Sequence, residues 1–582
     1  MTAAAGGRSR ALLWLAAGAV GFAAADTYVV VLALPDMMTS AGIPIDELQR
    51  GAPIVSGFLL GYVAMLPLIG RISDLRGRVP VLVMSLTVFA LGSLVTALAY
   101  DLPSMVTGRF FQGVGGGGLV PATLALVADL YPAQRRGVPL GVVSAVQELG
   151  SVAGPLLGAL VLALTSWRGI FALNLAVGLL LAVAVRAVAG RAAGVGPAGE
   201  GPGGARRTDL LGAGLLAVAL AALVLVLAEP ASLKRDLTWG ALFVPAVGSG
   251  RWGTPVGLVA VLAWLGFLAR CLLARRPLVD LRGWLRSVRE ADLLGAVLLA
   301  TALGGVILAF ATADPEVQVF SPAGPWFLAG SAVAAAAFAA HLARATAPLV
   351  PRGALRRTPA WGSLLVSLFV GAALIAALID IPLFARTTVY ADSQLGAALV
   401  LVRFLVALPL GAVAGGWLLR RVGAGPLTAA GMALSALGFW LMSRWGITTL
   451  EHPSATLALL VCGLGFGLAL APVNAAILAT TDAGVHGLAS ALVVVARMVG
   501  MLVGISALTT VGLRRYYAEQ RDLPAVQDVC DGRSRCAAFT DLLQEAGIVQ
   551  EQVVFLGAAG CALAAGVLAL LLFRSGEVRA TR

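Results

Sequence analysis

Sixteen stretches of this chain are long and apolar enough to cross a lipid bilayer, and that limits its fold more than any other feature. A spanning helix needs about 20 apolar residues to traverse about 30 Å of hydrocarbon. Runs that meet this rule fall near 12–34, 53–70, 79–99, 104–128, 138–164 and 169–189. Four more fall near 209–228, 255–274, 291–312 and 324–345, and a last six near 361–384, 394–418, 425–444, 456–480, 485–513 and 552–573. In hydrocarbon a backbone must satisfy its own hydrogen bonds, so such runs form helices. Composition agrees: 59% of the 582 residues are hydrophobic and 12% are charged, where soluble domains carry about 25% charged residues. The expectation is an all-α polytopic membrane protein with about 16 transmembrane helices.

The net charge of +12 would suit a nucleic-acid partner, but its placement argues against one. The cations are nearly all Arg and cluster between apolar runs. With the N-terminus inside, Arg71, Arg76, Arg78, Arg135, Arg136, Arg275, Arg276, Arg420 and Arg421 all fall in inner loops. Short outer loops hold few, which is the bias that orients membrane helices. Both termini are therefore expected in the cytoplasm. The apolar run after Arg10 exceeds a signal-peptide core, so it is expected to stay as the first span. Cys271, Cys462 and Cys561 lie inside apolar runs and read as inert core residues. His341, His452 and His486 lack metal-ligand spacing, so neither a metal nor another cofactor is expected.

A Gly/Pro/Arg-rich break at 190–208 ends the first six spans. Beyond it the sequence repeats. Asp209-Leu-Leu-Gly-Ala opens the seventh span and Asp292-Leu-Leu-Gly-Ala opens the ninth. The eighth ends in Pro277-Leu-Val and the tenth in Pro348-Leu-Val, each followed by a basic segment. This reads as a duplicated two-helix hairpin between two six-helix halves. The expected domains are 1–189, a 190–360 linker with four spans, and 361–582 with an outer extension at 513–551.

Short motifs narrow the reading. The loop after the second span runs Gly70-Arg-Ile-Ser-Asp74-Leu-Arg-Gly77-Arg78. Its glycines allow a tight turn. Asp74 can cap a helix N-terminus and pair with Arg across the interface between halves, as a conformational latch. The second half carries a degenerate copy, Gly416 to Gly423, with Arg420 in place of the acid. This loop resembles the signature of the major facilitator superfamily. Three stretches resemble its drug:proton antiporter branch in order: Asp26 to Pro35 in the first span, Arg109-Phe-Phe-Gln112-Gly113 in the fourth, and Gly150-Ser-Val-Ala-Gly154-Pro155-Leu-Leu-Gly158 in the fifth. The last is similar to the antiporter motif, which marks exporters. Further stretches, Gln147 to Ser151, Ala407 to Val413 and Val493 to Met498 among them, are similar to a mycobacterial exporter that works with a lipoprotein to move triacylglycerol and confers drug tolerance. The extra helix pair departs from that relative. The resemblance implies the facilitator fold, a lipid or other hydrophobic substrate, protons as driving ions, a periplasmic lipoprotein partner and a monomer in the bacterial inner membrane.

Ionisable residues at bilayer depth cost at least about 2.5 kcal/mol each and usually mark function. Five stand out: Asp26, Arg109, Glu148, Arg403 and Arg497. Asp26 and Arg109 lie on oppositely directed helices at depths that let them pair. Glu148 and Arg497 both lie near mid-membrane, one in each half. Either Asp26 and Glu148 carry coupling protons while Arg109 and Arg497 tune them, or these are static pairs that orient helices; Arg403 is counted in the same charge network, although the resemblance does not extend to it. Asp380, near an outer helix end, is expected to be solvated. The Gly113–Gly118 run lacks the Lys and Ser/Thr of a phosphate loop and is expected to pack helices closely.

Helical character extends from Leu488 past Tyr517, longer than the membrane is thick, and polar residues follow. Cys530 and Cys536 flank an Asp-Gly turn and can close a small disulfide loop on the oxidising side. The last two spans are expected to project outward as a hairpin, either to pass lipid onward or only as a connector. The whole reads as a secondary active transporter, not an enzyme: a proton-coupled exporter of triacylglyceride-like or other hydrophobic cargo by alternating access. The alternative is a proton-driven multidrug efflux antiporter that gives drug resistance. A membrane acyl or glycosyl transferase would need a nucleophile or base near carboxylates at the membrane surface, and none is apparent.

Overall fold

The structure is a computed structural model and describes residues 2–44, 48–192, 209–311, 323–390, 393–521, 523–531 and 536–573. Within them the regular structure is helical, with no strand. The first six helices are α1 (Thr2–Ser40), α2 (Leu48–Arg76), α3 (Arg78–Ala97), α4 (Leu102–Leu130), α5 (Gly137–Leu164) and α6 (Trp167–Ala192). Six follow in the middle: α7 (Leu210–Ala228), the one-turn α8 (Ala231–Lys234), α9 (Pro255–Leu273), α10 (Leu281–Glu290), α11 (Leu293–Ala311) and α12 (Gly324–Arg344). The last group is α13 (Thr358–Thr387), α14 (Gln394–Val422), α15 (Ala424–Met442), α16 (Pro453–Thr480), α17 (His486–Arg521), the one-turn α18 (Val526–Val529) and α19 (Ala537–Leu572).

Among the described residues, 14 helices are long and apolar enough to cross a membrane. α1 and α5, which include side chains outside the described residues, are helices of 39 and 28 residues and fall at the two other expected spans. The local signals agree with the starts. Asp101 and Ser104 form a reciprocal capping box at α4. Thr254 Oγ1 accepts from the Gly257 N–H at α9, 3.1 Å. After α2 and after α14 the chain turns through Gly77 and Gly423 at φ 93° and 86°, a conformation that a Cβ would strain.

The two outer groups repeat one packing scheme. In the first, α1 packs on α5, α2 on α4, and α3 on α4 and α6. In the last, α13 packs on α17, α14 on α16, and α15 on α16 and α19. The Gly run of α4 lies against the backbones of α2 and α3: Gly113 against Phe58, Gly115 against Phe89 and Ser85, Gly117 against Tyr62. The groups meet along two seams, α5 with α14 and α2 with α17. Closest approach on both seams is at one end, the end with the Asp74 loop. There Gly137 lies on Gly416 and Gly70 on Gly487, backbone to backbone.

The middle helices form two hairpins with the same internal contacts. Asp209 caps α7 through the Gly212 N–H at 3.0 Å and receives Arg270 of α9 at 3.1 Å. Asp292 caps α11 through the Gly295 N–H at 3.0 Å and meets His341 of α12 at 2.8 Å. In the second hairpin the Leu of the Pro-Leu-Val turn, Leu349, also donates its backbone N–H to Asp292 at 2.9 Å. In the first, the donors hold the Asp209 carboxyl below the ordinary carboxylate range, the Gly212 N–H foremost and Arg270 next.

Between the hairpins, α10 alternates apolar and basic faces, LRGWLRSVRE. It docks on the Asp74 loop: Arg76 Nη2 meets Asp280 Oδ2 at 2.6 Å and its guanidinium covers the Trp284 ring at 4.7 Å. The bond from Arg76 holds Asp280 below the ordinary carboxylate range. A carboxyl depressed in the folded state supports docking at every pH above its unfolded value, and that support fades only as pH falls through the lower folded value. Docking of α10 is therefore expected to be constant from about pH 6 to 8. Spin labels on α10 and the α2–α3 loop whose separation shifts in that window would contradict this.

α17 and α19 each have 36 residues, about 54 Å of helix at 1.5 Å per residue. That exceeds the bilayer core of about 30 Å, so the pair projects beyond it. Gln544 Nε2 donates to the Thr387 carbonyl at 2.6 Å and Gln552 Nε2 to the Trp445 carbonyl at 2.8 Å, fixing the root of α19 on α13 and α15.

Candidate functional site

The densest polar site lies inside the first six-helix group. Asp26 on α1 is fully buried, as is Arg109 on α4, at 0% and 1% side-chain exposure. Arg109 Nη1 donates to Asp26 Oδ2 at 2.8 Å and to Gln112 Oε1 at 2.6 Å. Gln112 Nε2 donates to Asp26 Oδ1 at 3.1 Å and to Ser93 Oγ of α3 at 3.0 Å. Asn174 of α6 also donates to Asp26 Oδ1. The guanidinium lies over Phe58 at 4.4 Å and Phe171 at 5.7 Å. Two helices, α4 and α6, thus supply the donors to a carboxylate held on α1, α3 joins through Gln112, and two rings exclude water from the cation. A buried ion pair needs this many partners to offset its desolvation. Asp26 borders a crevice of about 20 Å³ between α1, α5 and α6, enough for one water molecule.

The Gly150–Gly158 stretch of α5 builds the wall beside it. A Cβ on Gly150 would strike the Gly21 carbonyl, and one on Gly154 the Ala25 carbonyl, next to Asp26. A Cβ on Gly158 would come within 3.2 Å of Val29. Pro155 is in α5, but its side chain lies outside the described residues. The motif's small residues therefore let α5 approach α1 closely at the level of Asp26.

A second group gathers between the halves. Glu148 of α5, Arg497 of α17 and Tyr62 of α2 are all buried and interact electrostatically. Glu148 and Arg497 approach across the central plane, but among the described residues no ion pair within 4.0 Å joins them. They differ in this from the tightly bonded Asp26–Arg109 pair.

The loop after α2 clasps the second half. Asp74, whose side chain is buried, accepts the backbone N–H groups of Gly487 at 2.8 Å and Leu488 at 3.0 Å. It thereby caps the N-terminus of α17, where a negative charge is favoured. Arg78 donates to Asp74, to Ser73 Oγ at 3.1 Å, to Asp129 Oδ2 at 3.2 Å and to the Ala483 carbonyl at 3.3 Å. The expected Asp–Arg pair across the interface is thus split in two. The carboxylate reaches across to backbone amides, while its Arg partner, four residues on, belongs to the same half. Gly70 makes the clasp close, and Gly77 turns the chain so that Arg78 points back.

A family model described as Major Facilitator Superfamily matches residues 16–347. The chain belongs to the major facilitator superfamily. Its similar relatives include proteins named triacylglyceride transporters. The one from Mycobacteroides abscessus is 35% identical over 86% of this chain and 81% of its own. That from Mycolicibacterium smegmatis is 34% identical over 95% of this chain and 86% of its own. Among solved structures, the human organic anion transporter MFSD10 superposes with a TM-score of 0.52 at 15% identity, covering 96% of this chain and 99% of that one. At that identity the likeness is one of fold.

This facilitator is accordingly a multi-pass membrane transporter rather than an enzyme, and the remaining residues take their places in that frame. Arg403 on α14 joins neither buried group: its Nη1 donates to Thr456 Oγ1 at 3.0 Å. Cys530 and Cys536 are joined in a disulfide between α17 and α19. Asp380, expected in solvent, is buried at 7% exposure, because α19 starts far enough outside the membrane to cover it. Four polar residues of the site were quoted or passed over without a role: Gln112, Asn174, Ser93 and Tyr62. Gln112 and Asn174 had a signal, since Gln112 lies one turn from Arg109 and Asn174 faces the same core. Tyr62 had none, being one aromatic in an apolar run. Between α2, α4, α11 and α12 lies an apolar crevice of about 520 Å³, lined by Leu60, Met65, Phe110, Ala300, Leu308 and Phe327 among others. Among the described residues no group of three or more His, Cys, Asp or Glu could hold a metal ion.

Proposed function

We propose that this facilitator exports an apolar lipid of triacylglyceride type from the bacterial plasma membrane, coupled to proton entry, by rocking its two halves. The observation that carries this reading is the likeness, through both halves, to proteins named triacylglyceride transporters. Apolar crevices in place of hydrogen-bonding ones support a hydrophobic cargo. Asp26, Glu148 and the latch supply the rest. Asp26 exchanges Arg109 for a proton reached through its water-sized crevice. Glu148 releases its proton toward the inside when Arg497 closes in. Asp74 caps α17 only while the halves are shut at that end, so the clasp must break when they open there. Arg403 stabilises the second half from a distance.

In this reading residues 1–189 and 361–582 are the two moving halves, 190–360 is a duplicated linker, and both termini are cytoplasmic. The disulfide-tipped hairpin of α17 and α19 extends into the periplasm and hands cargo to a lipoprotein; the transporter itself works as a monomer. Fluorescent triacylglyceride loaded in the membrane of liposomes should appear in an outer acceptor when a proton gradient is imposed. The antiporter motif of Gly150, Gly154, Pro155 and Gly158 supports multidrug efflux as a second reading. Gradient-driven movement of a cationic dye without any lipid movement would choose it over the first.

A further inference from the structure

Two carboxyl groups in the second half have no part in the scheme above. Asp380 of α13 and Glu551 of α19 are buried at 7% and 2% exposure. Their facing follows from the register of the two helices. The Gln544–Thr387 contact sets α19 antiparallel on α13. Seven residues, or two turns, further along each helix lie Glu551 and Asp380, on the same face and at the same level. Each carboxyl interacts electrostatically with the other. The wall around them is aromatic: Phe384 lies 5.3 Å from Trp445 and 6.4 Å from Phe555, and Trp445 lies 6.0 Å from Phe555, ring to ring.

The surrounding charges do not neutralise the pair. On the elements packed against it they are Arg386 on α13, Arg403 on α14, Arg444 at the end of α15, Glu451 and His452 before α16, and Arg497, Arg514 and Arg515 on α17. Arg403 is bonded to Thr456, Arg444 covers Trp440, Arg515 pairs with Glu519 and Arg497 faces Glu148. Among the described residues no cation pairs with Asp380 or Glu551. Gln550 Nε2 donates to Glu551 Oε1 at 3.3 Å, and Glu551 Oε2 is buried with no partner. Two ionised carboxylates cannot persist face to face out of water without a counter-charge. A metal ion would find too few ligands here. A single proton removes the like-charge repulsion, because one carboxyl is then neutral beside its ionised neighbour.

We propose that Asp380 and Glu551 form a proton-binding dyad at the root of the projecting α17–α19 hairpin, separate from Asp26 and Glu148. Binding takes one proton from water and leaves one negative charge shared by the two groups. Release leaves two negative charges facing each other and forces α19 off α13. The dyad thus ties the docking of the hairpin root to its protonation.

Infrared difference spectroscopy of the full chain in nanodiscs tests this without any transport assay, so its failure is separable from failure of the export reading. The isosteric variants D380N and E551Q are used to preserve packing. At neutral pH the wild type should show a protonated-carboxyl band that disappears in each variant and survives in D26N and E148Q; the same band is followed in all that comes next. On raising the pH the wild-type band should be lost, and labels on α13 and α19 should move apart, whereas in the D380N/E551Q double variant they should stay fixed. A band that persists in both single variants overturns the proposal. So does a band abolished by sodium at constant pH, which would mark a cation site.

Discussion

Transport by a Glu148→Gln variant is expected to lose its response to a pH gradient while the chain stays folded. Gln keeps the volume and polarity of Glu148 but takes up no proton. Glu148 makes no ion pair within 4.0 Å among the described residues, so the change breaks no tight contact; it removes the charge that Arg497 feels across the central plane. One pH unit is worth about 1.4 kcal/mol per coupled proton, a factor of about ten. The cargo accumulation sustained by a one-unit gradient should therefore fall about tenfold in liposomes. Unchanged accumulation would remove Glu148 from coupling and leave it a structural partner of Arg497.

Arg109→Met is expected to have the largest effect on stability. It strands Asp26 inside four helices, with amide donors but no cation. Breaking a buried pair on one side costs about 3–5 kcal/mol, which should appear as a large drop in thermal stability in detergent. Adding Asp26→Asn removes the stranded charge and should restore more than half of the loss, because both sides of the pair are then neutral. If the double variant is as unstable as the single one, the loss comes from the rings of Phe58 and Phe171 that the guanidinium covers, and the ion pair is not the cause.

The helices and the buried pair of the first half were legible because long apolar runs and charges within them are rare and costly. Asp26 and Arg109 could be brought together from depth alone. The latch was half legible: the motif located Asp74, but its partners are main-chain amides of Gly487 and Leu488, which no side-chain pattern advertises. Glu551 was missed for a physical reason. Apolarity alone placed the start of the last span near 552, whereas α19 begins at Ala537 because polar helix continues outside the membrane. The same misplaced edge made Asp380 look solvated. Arg403 looked like a member of a charge network because depth ranks residues along the membrane normal and says nothing about which side of a helix they occupy.

The α11–α12 hairpin makes the two flanks of the molecule unequal. α11 leans on both α2 and α17 and covers that seam, and the apolar crevice lies beside it against α2 and α4. On the opposite flank Leu157 and Leu160 of α5 and Leu410 and Val413 of α14 are exposed, bare to the surrounding acyl chains. The surrounding lipid therefore meets bare apolar helix on one flank and a covered seam on the other. The two faces that the molecule turns to acyl chains are thereby unlike, and a hairpin outside the Asp26 and Glu148 groups makes them so.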